Sequence, residues 1–174
     1  MQSVIRSRNC GRECVRGRDN RNPELRGYTG GLFEWEVLGT CLVLSHGHMS
    51  YERSVEEVMR NQPCDPHRPR GESANLFTAV AEEMAKDGFD SDDLKLFTAV
   101  GSTLDRFHKV DGFFRFQGVT VTLDTTIDPC KNRATARADV IVYAEDALKG
   151  YPEAAENIAM KFRTRRDEMT KAGR

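Results

Sequence analysis

Long hydrophobic runs are missing from this chain of 174 residues. The most apolar segment, VLGTCLVLS from Val37 to Ser45, is far shorter than the roughly 20 residues that a membrane-spanning helix needs. We expect it to be a buried strand or a short helix instead. The start of the sequence also lacks the apolar core of a secretory signal peptide. No membrane partner is therefore expected.

Cysteine is scarce and scattered. The five cysteines are Cys10, Cys14, Cys41, Cys64 and Cys130. An odd, widely spaced set does not indicate a disulfide framework, so a reducing, cytoplasmic location is the expectation. Cys10 and Cys14 could be combined with His46 and His48 into a zinc site, but this spacing does not fit a compact finger.

An excess of positive charge is also lacking, since the formal net charge is −1. Any contact with nucleic acid would have to come from a local basic patch. The first 31 residues hold such a group of arginines: Arg6, Arg8, Arg12, Arg16, Arg18, Arg21 and Arg26. We interpret residues 1–48 as a basic extension and residues 49–174 as one α/β domain. The extension is either a phosphate-binding tail or a solvated segment, or it lies upstream of a natural start at Met49.

Helical spacing of apolar residues predicts two helices in the first part of that domain. The first covers Ser50 to Asn61, and the second begins at an N-cap, Ser73, and stops near Gly88. On the second helix, Glu83 falls at the border of the apolar stripe, from where a carboxylate could lean into a cleft.

Three further elements follow along the chain. The run from Leu94 to Val100 fits a strand or a short helix, and we favour the helix. Ala138 to Tyr143 has the composition of a buried strand. A last helix begins at Pro152, and its basic face is expected to meet phosphates. Its predicted apolar positions are Ala155, Ile158, Phe162 and Met169; its predicted outward residues are Lys161, Arg163, Arg165 and Arg166.

A hairpin is predicted around Gln117 and Gly118. A symmetric turn there pairs Phe116 with Val119 and Gly112 with Leu123. The same register sets Asp111 directly opposite Asp124 at the far end of the two strands. Opposed carboxylates are destabilising unless a cation lies between them, and their hard oxygen atoms favour Mg²⁺ or Mn²⁺. Two alternatives stay open: a solvent-exposed pair at a frayed end, and a three-residue loop that would place the two aspartates on opposite faces.

The order of these features resembles the PD-(D/E)xK nuclease superfamily. The lead-in TLDRFHKVD ends at Asp111, a strand and a glycine turn follow, and the second strand ends in Asp124. The resemblance covers roughly residues 73–145 and implies an α/β fold with a restriction-endonuclease-like mixed central sheet flanked by helices. The family core usually places a helix between its third and fourth strands, yet only a short segment separates Asp124 from Ala138.

The family's lysine, two residues after the second acid, is replaced by Thr126. A hydroxyl group cannot supply the positive charge that helps to activate water and to stabilise the phosphate. Lys131, from the following loop, or Lys109, from the start of the first strand, could replace it.

The resemblance implies an endonuclease or exonuclease that hydrolyses phosphodiester bonds of DNA or RNA with Mg²⁺ or Mn²⁺. Its implied catalytic residues are Asp111, Asp124, Lys131 and Glu83, with the Thr125 carbonyl as a further metal ligand and Asp105 as an alternative to Glu83. Its implied nucleic-acid contacts are Arg106, His108 and Arg115. The expected partner is nucleic acid, DNA in the first place, and homodimer formation is left open. A catalytically inactive binding module and a structural or interaction domain are the alternatives.

Overall fold

A computed structural model describes residues 29–45, 47–131 and 136–172 of the chain. The helices are α1 (Gly30–Leu38), α2 (Tyr51–Arg60), α3 (Glu72–Ala85), α4 (Thr103–His108), α5 (Ala144–Ala147) and α6 (Pro152–Ala172), with a short 3₁₀ turn at Ser91–Asp93. The strands are β1 (Lys95–Thr98), β2 (Gly112–Phe116), β3 (Val119–Thr126) and β4 (Val140–Tyr143). The N-terminal arginine segment and the proposed zinc ligands Cys10, Cys14 and His46 lie outside the described residues.

The four strands form one mixed sheet in the order β1-β2-β3-β4. The first three strands pair antiparallel, and β4 pairs with β3 in parallel. Helices pack on both faces, so the predicted mixed α/β class with a central sheet is confirmed. The strand β4 also confirms the predicted buried strand, although it begins two residues later than expected.

The larger core lies on the sheet face that α1, α3 and α6 cover. It includes Phe33, Val37 and Leu38 of α1, which are almost fully buried. The folded unit as described therefore begins with α1, inside the stretch that the sequence assigned to an extension. A threonine hydroxyl starts this helix, since Thr29 accepts a hydrogen bond from the Leu32 amide.

A smaller core on the opposite face joins α2 and α4 to the sheet. There Phe97 of β1 stacks on Phe113 of β2, with ring centroids 4.9 Å apart. The helix favoured for Leu94 to Val100 is therefore wrong, because this segment pairs with β2 as a strand. Cross-strand aromatic packing outweighs the weak helical periodicity of so short a run.

Several local predictions need smaller corrections. The helix α2 is confirmed, with Ser50 as its N-cap. The helix α3 begins at Glu72 after Gly71, so Ser73 is not its cap and instead donates to the Arg70 carbonyl. The segment from Val37 to Ser45 is neither one strand nor one helix: it ends α1 and then runs irregularly.

The last helix does start at Pro152, but two of its residues differ from the expected pattern. Met169 is 60% exposed rather than part of the buried face. Arg165, expected to point outward, donates to the Thr120 carbonyl and pairs with Asp139. Of the helices in the described ranges, none combines the length and the apolar character needed to cross a membrane.

Candidate active site at the strand ends

The predicted hairpin register is confirmed pair by pair, from Phe116 with Val119 to Gly112 with Leu123. Gln117 and Gly118 both have positive φ, as a tight two-residue turn between twisted strands requires. The paired register ends at Gly112. The Asp111 amide donates over 2.9 Å to the carbonyl of Leu123, which is the partner of Gly112, so the predicted direct pairing of Asp111 with Asp124 is wrong. The hairpin thus brings Asp111 and Asp124 to the same end of the sheet.

Both aspartates are buried, with only 5% of Asp111 and 6% of Asp124 exposed. The Asp111 carboxylate is held by one residue, because its Oδ2 accepts hydrogen bonds from the Thr125 amide over 2.7 Å and from the Thr125 hydroxyl over 2.9 Å. Exposure to solvent at a frayed end is therefore excluded for this pair.

Burial raises the pKa of Asp111 to about 7. The hydrogen bond from the Thr125 amide opposes this rise, while the negative charges of Asp124 and Glu34 add to it. A buried carboxyl group beside two other acids is an environment that a cation would stabilise.

Lys131 provides positive charge at the site, since its Nζ lies 2.7 Å from Asp124 Oδ1. Two local hydrogen bonds fold the loop after β3 so that the lysine comes back to Asp124. Thr126 Oγ1 accepts from the Asp128 amide, and Asp128 Oδ1 accepts from the Cys130 amide. The Tyr143 hydroxyl of β4 donates to the Lys131 carbonyl over 2.8 Å and so fixes the end of this loop. Thr126 therefore shapes the loop that places the lysine.

Glu34 of α1 is the residue that sequence reasoning missed. Burial raises its pKa, and the charges of Asp105 and Asp124 raise it further, whereas Lys131 and Lys109 lower it. Its carboxylate therefore belongs to the same electrostatic cluster as Asp111 and Asp124. The useful sequence signal was the N-cap at Thr29 followed by a helix in which Glu34 precedes the buried Val37 and Leu38.

Glu83, the glutamate expected from a helix, lies on α3 and forms an ion pair with Lys86, the residue directly after that helix. Its charge is not among those that shift the pKa of Asp111 or of Glu34. Glu34, and not Glu83, is therefore the glutamate whose charge acts on Asp111. Asp105 lies nearer, and its Oδ2 accepts a hydrogen bond from the Gly101 amide.

The expected nucleic-acid contacts are spread over the sheet face that α2 and α4 cover. Arg106 is exposed on α4. The His108 Nε2 donates to the Met49 carbonyl over 2.9 Å. Arg115 contacts the sulfur of Met59 and lies four residues, or about 13 Å, along β2 from Asp111. Arg115 is therefore remote from the strand ends.

The carboxylate oxygens of Asp111 and Asp124 are ligands of the type that Mg²⁺ prefers. Within the described ranges, no three side chains of His, Cys, Asp or Glu group closely enough to hold a metal ion. Mg²⁺ commonly takes only one or two carboxylates and completes its shell with water and substrate phosphate. Asp111 and Asp124, each with one oxygen engaged by Thr125 or Lys131, match that smaller requirement.

Comparison with known proteins yields no relative: no family model, no curated protein and no solved structure matches this chain.

Proposed function

We propose that the protein is a metal-dependent nuclease that hydrolyses phosphodiester bonds, with Asp111, Asp124, Lys131 and Glu34 as its active-site residues. The observation that supports it best is the contact of Lys131 with Asp124 beside a second buried aspartate at adjacent strand ends. A lysine is thereby present at the site despite the threonine at position 126.

Asp111 and Asp124 would hold the cation, which would supply a Lewis acid for the phosphate and lower the pKa of a bound water molecule. Glu34 is only partly exposed and has a raised pKa, so its carboxylate can accept a proton from the attacking water. The Lys131 ammonium group, paired with Asp124, can donate to a phosphate oxygen as negative charge develops there. Thr125 keeps the Asp111 carboxylate in one orientation throughout.

A cleavage assay tests this function. Single-stranded DNA, duplex DNA and RNA are incubated with the protein in Mg²⁺, Mn²⁺ or EDTA, beside Asp124→Asn and Glu83→Gln variants. We expect metal-dependent cleavage that Asp124→Asn abolishes and Glu83→Gln leaves intact. Absence of cleavage in every metal and on every substrate would refute the proposal.

A catalytically inactive nucleic-acid-binding module is the second candidate. Lys131 already neutralises the charge of Asp124, and the described residues offer no three-ligand metal group, so both features are compatible with a site that no longer needs a cation. Binding that survives Asp124→Asn without any cleavage would favour this module.

A further inference from the structure

A polar cavity of about 350 Å³ opens on the sheet face opposite the larger core. Tyr51, His108, Val110, Thr120, Thr122 and Arg165 contribute to its wall, together with Arg137 and Asp139. Its volume is in the range of sites that accept a small ligand. Of these residues, only His108 and Arg165, the latter on the basic face of the last helix, were expected from the sequence to contact nucleic acid.

The cavity lies next to the proposed active site. Thr122 is two residues before Asp124 on β3, which corresponds to about 7 Å along the strand. Val110 directly precedes Asp111. A nucleic-acid strand with one phosphate at Asp124 can therefore place a neighbouring nucleotide in the cavity.

A group of four aromatic rings lies at the cavity, and three of them, Phe107, Tyr51 and His48, are exposed. Phe107 is 41% and Tyr51 38% exposed. His48 touches the rings of both Phe107 and His108, with centroids 5.6 Å and 6.0 Å apart, and His108 touches Tyr51 at 5.5 Å. Aromatic faces that remain accessible to solvent are the surfaces on which unpaired bases stack.

Positive charge accompanies these rings. Arg137 is exposed, and its one guanidinium contact within the described residues is to the Phe107 carbonyl. Arg165 reaches the uncovered edge of β3 at the Thr120 carbonyl, and Asp139 accepts hydrogen bonds from both the amide and the hydroxyl of Thr122. Asp139 is thus engaged by Thr122 and Arg165, so Arg137 supplies the charge that remains for a phosphate.

We propose that this surface binds a single-stranded nucleic acid, with unpaired bases stacked on Phe107 and on Tyr51 and a phosphate held by Arg137. The inference deepens the proposed nuclease function and rests on it for the position of the cleaved bond. A duplex would meet the same surface with its bases already stacked and paired, so it could gain only the phosphate contact. The substrate class would then be single-stranded DNA or RNA, or the single-stranded part of a branched molecule.

Binding is measured by fluorescence anisotropy in EDTA, so that no cleavage occurs, with labelled single-stranded DNA, single-stranded RNA and duplex DNA of about 12 nucleotides. Phe107→Leu removes the aromatic face and keeps an apolar side chain, whereas Phe107→Trp keeps a face. Arg137→Ala removes the phosphate contact. Arg68→Ala is the matched control, since Arg68 is exposed in the loop that pairs with the start of β1.

We expect Phe107→Leu to weaken single-strand binding about tenfold and duplex binding less than about twofold, with Phe107→Trp close to the wild type. Arg137→Ala should weaken single-strand binding and reduce its salt dependence by about one phosphate contact. Arg68→Ala should change neither affinity. The relative affinities for DNA and RNA then identify the natural polymer.

Equal loss of single-strand and duplex binding in Phe107→Leu, or no loss, would overturn the inference. Circular dichroism and thermal unfolding establish that each variant is folded. The proposed function can fail separately: single-strand binding that depends on Phe107, with no cleavage in any metal, would leave the inference standing and remove the nuclease. Metal-dependent cleavage, with single-strand binding that does not depend on Phe107, would remove the inference and leave the nuclease standing.

Discussion

Lys131 Nζ lies 2.7 Å from Asp124 Oδ1, although residues 127–130 of the following loop separate the lysine from the end of the strand that carries the aspartate. The Asp124 side chain is only 8% exposed and that of Lys131 is 35% exposed. Such a pair places a cation at the buried end of two strands while leaving its outer side open to a ligand. Much of the proposed chemistry depends on this contact.

Replacing Lys131 by methionine should reduce cleavage by about 100-fold or more, because one preorganised donor to the developing charge is lost. Binding of nucleic acid in EDTA should change much less. Single-turnover cleavage under saturating Mg²⁺ measures the effect. Lys109→Met is the matched control, since Lys109 is exposed at the end of α4. If Lys109→Met were the more damaging change, Lys109 would be the functional lysine.

Glu34→Gln should lower the cleavage rate by about 10²- to 10⁴-fold, as expected when a residue that accepts the proton of the attacking water is removed. The helix should be unaffected, since the substitution keeps the length of the side chain and a good helix former. Glu83→Gln should retain nearly full activity, because the Glu83 carboxylate pairs with Lys86 and is not among the charges that act on Asp111. The opposite ranking would restore Glu83 as the catalytic glutamate.

The hairpin and its register could be predicted from sequence because both depend on local rules. Strand alternation and a turn with positive φ at Gln117 and Gly118 leave one pairing, which puts most of the apolar side chains in the larger core and Phe113 on the opposite face. That register placed Asp111 and Asp124 at the same end of the sheet, but not the shift by which Asp111 bonds to Leu123 instead of Asp124. The approach of Lys131 was one of two options, and it required the turn that Thr126 and Asp128 form.

Glu34 and β1 could not be predicted in the same way, because their positions depend on contacts between distant parts of the chain. In the sequence, the helix α1 follows an arginine-rich stretch, and composition alone assigned it to the same extension. Its burial depends on packing against α3 and β3. Likewise, Leu94 to Val100 is a strand because Phe97 meets Phe113, which no local periodicity reveals.

The stability of the protein should fall as pH rises from about 4 to about 7 through the titration of Asp111. The folded pKa of about 7 lies above the ordinary value of 3.8, so the folded state binds the proton more tightly than the unfolded state over this interval. Stability from the protonated carboxyl group is present below the unfolded pKa and is lost as pH rises through the folded one. Urea unfolding of the metal-free protein at several pH values measures the slope.

Asp111→Asn should flatten that slope and stabilise the metal-free protein at neutral pH, since an amide oxygen can still accept both hydrogen bonds from Thr125. Saturating Mg²⁺ should stabilise the wild type more at about pH 8 than at about pH 5, because the ionised carboxylate is the ligand. An unchanged slope in Asp111→Asn would show that another group causes the pH dependence.

Gly112 packs against Leu38 of α1, the helix that carries Glu34. We therefore expect Gly112→Ala to lower both the stability and the activity of the protein. A β-carbon at this position would lie 2.9 Å from the Phe97 carbonyl oxygen and 3.1 Å from a methyl carbon of Leu38. Relief of the first contact requires a shift of the β1 backbone, which loosens the sheet, and relief of the second displaces Leu38 and with it the end of α1. We expect a loss of about 1–3 kcal/mol in the free energy of unfolding, together with lower cleavage as Glu34 shifts. Gly31→Ala, where nothing lies within 4 Å, should be neutral or slightly stabilising in the same urea titration. A Gly112→Ala protein as stable and as active as the wild type would mean that the contact of α1 with the strand ends does not position the site.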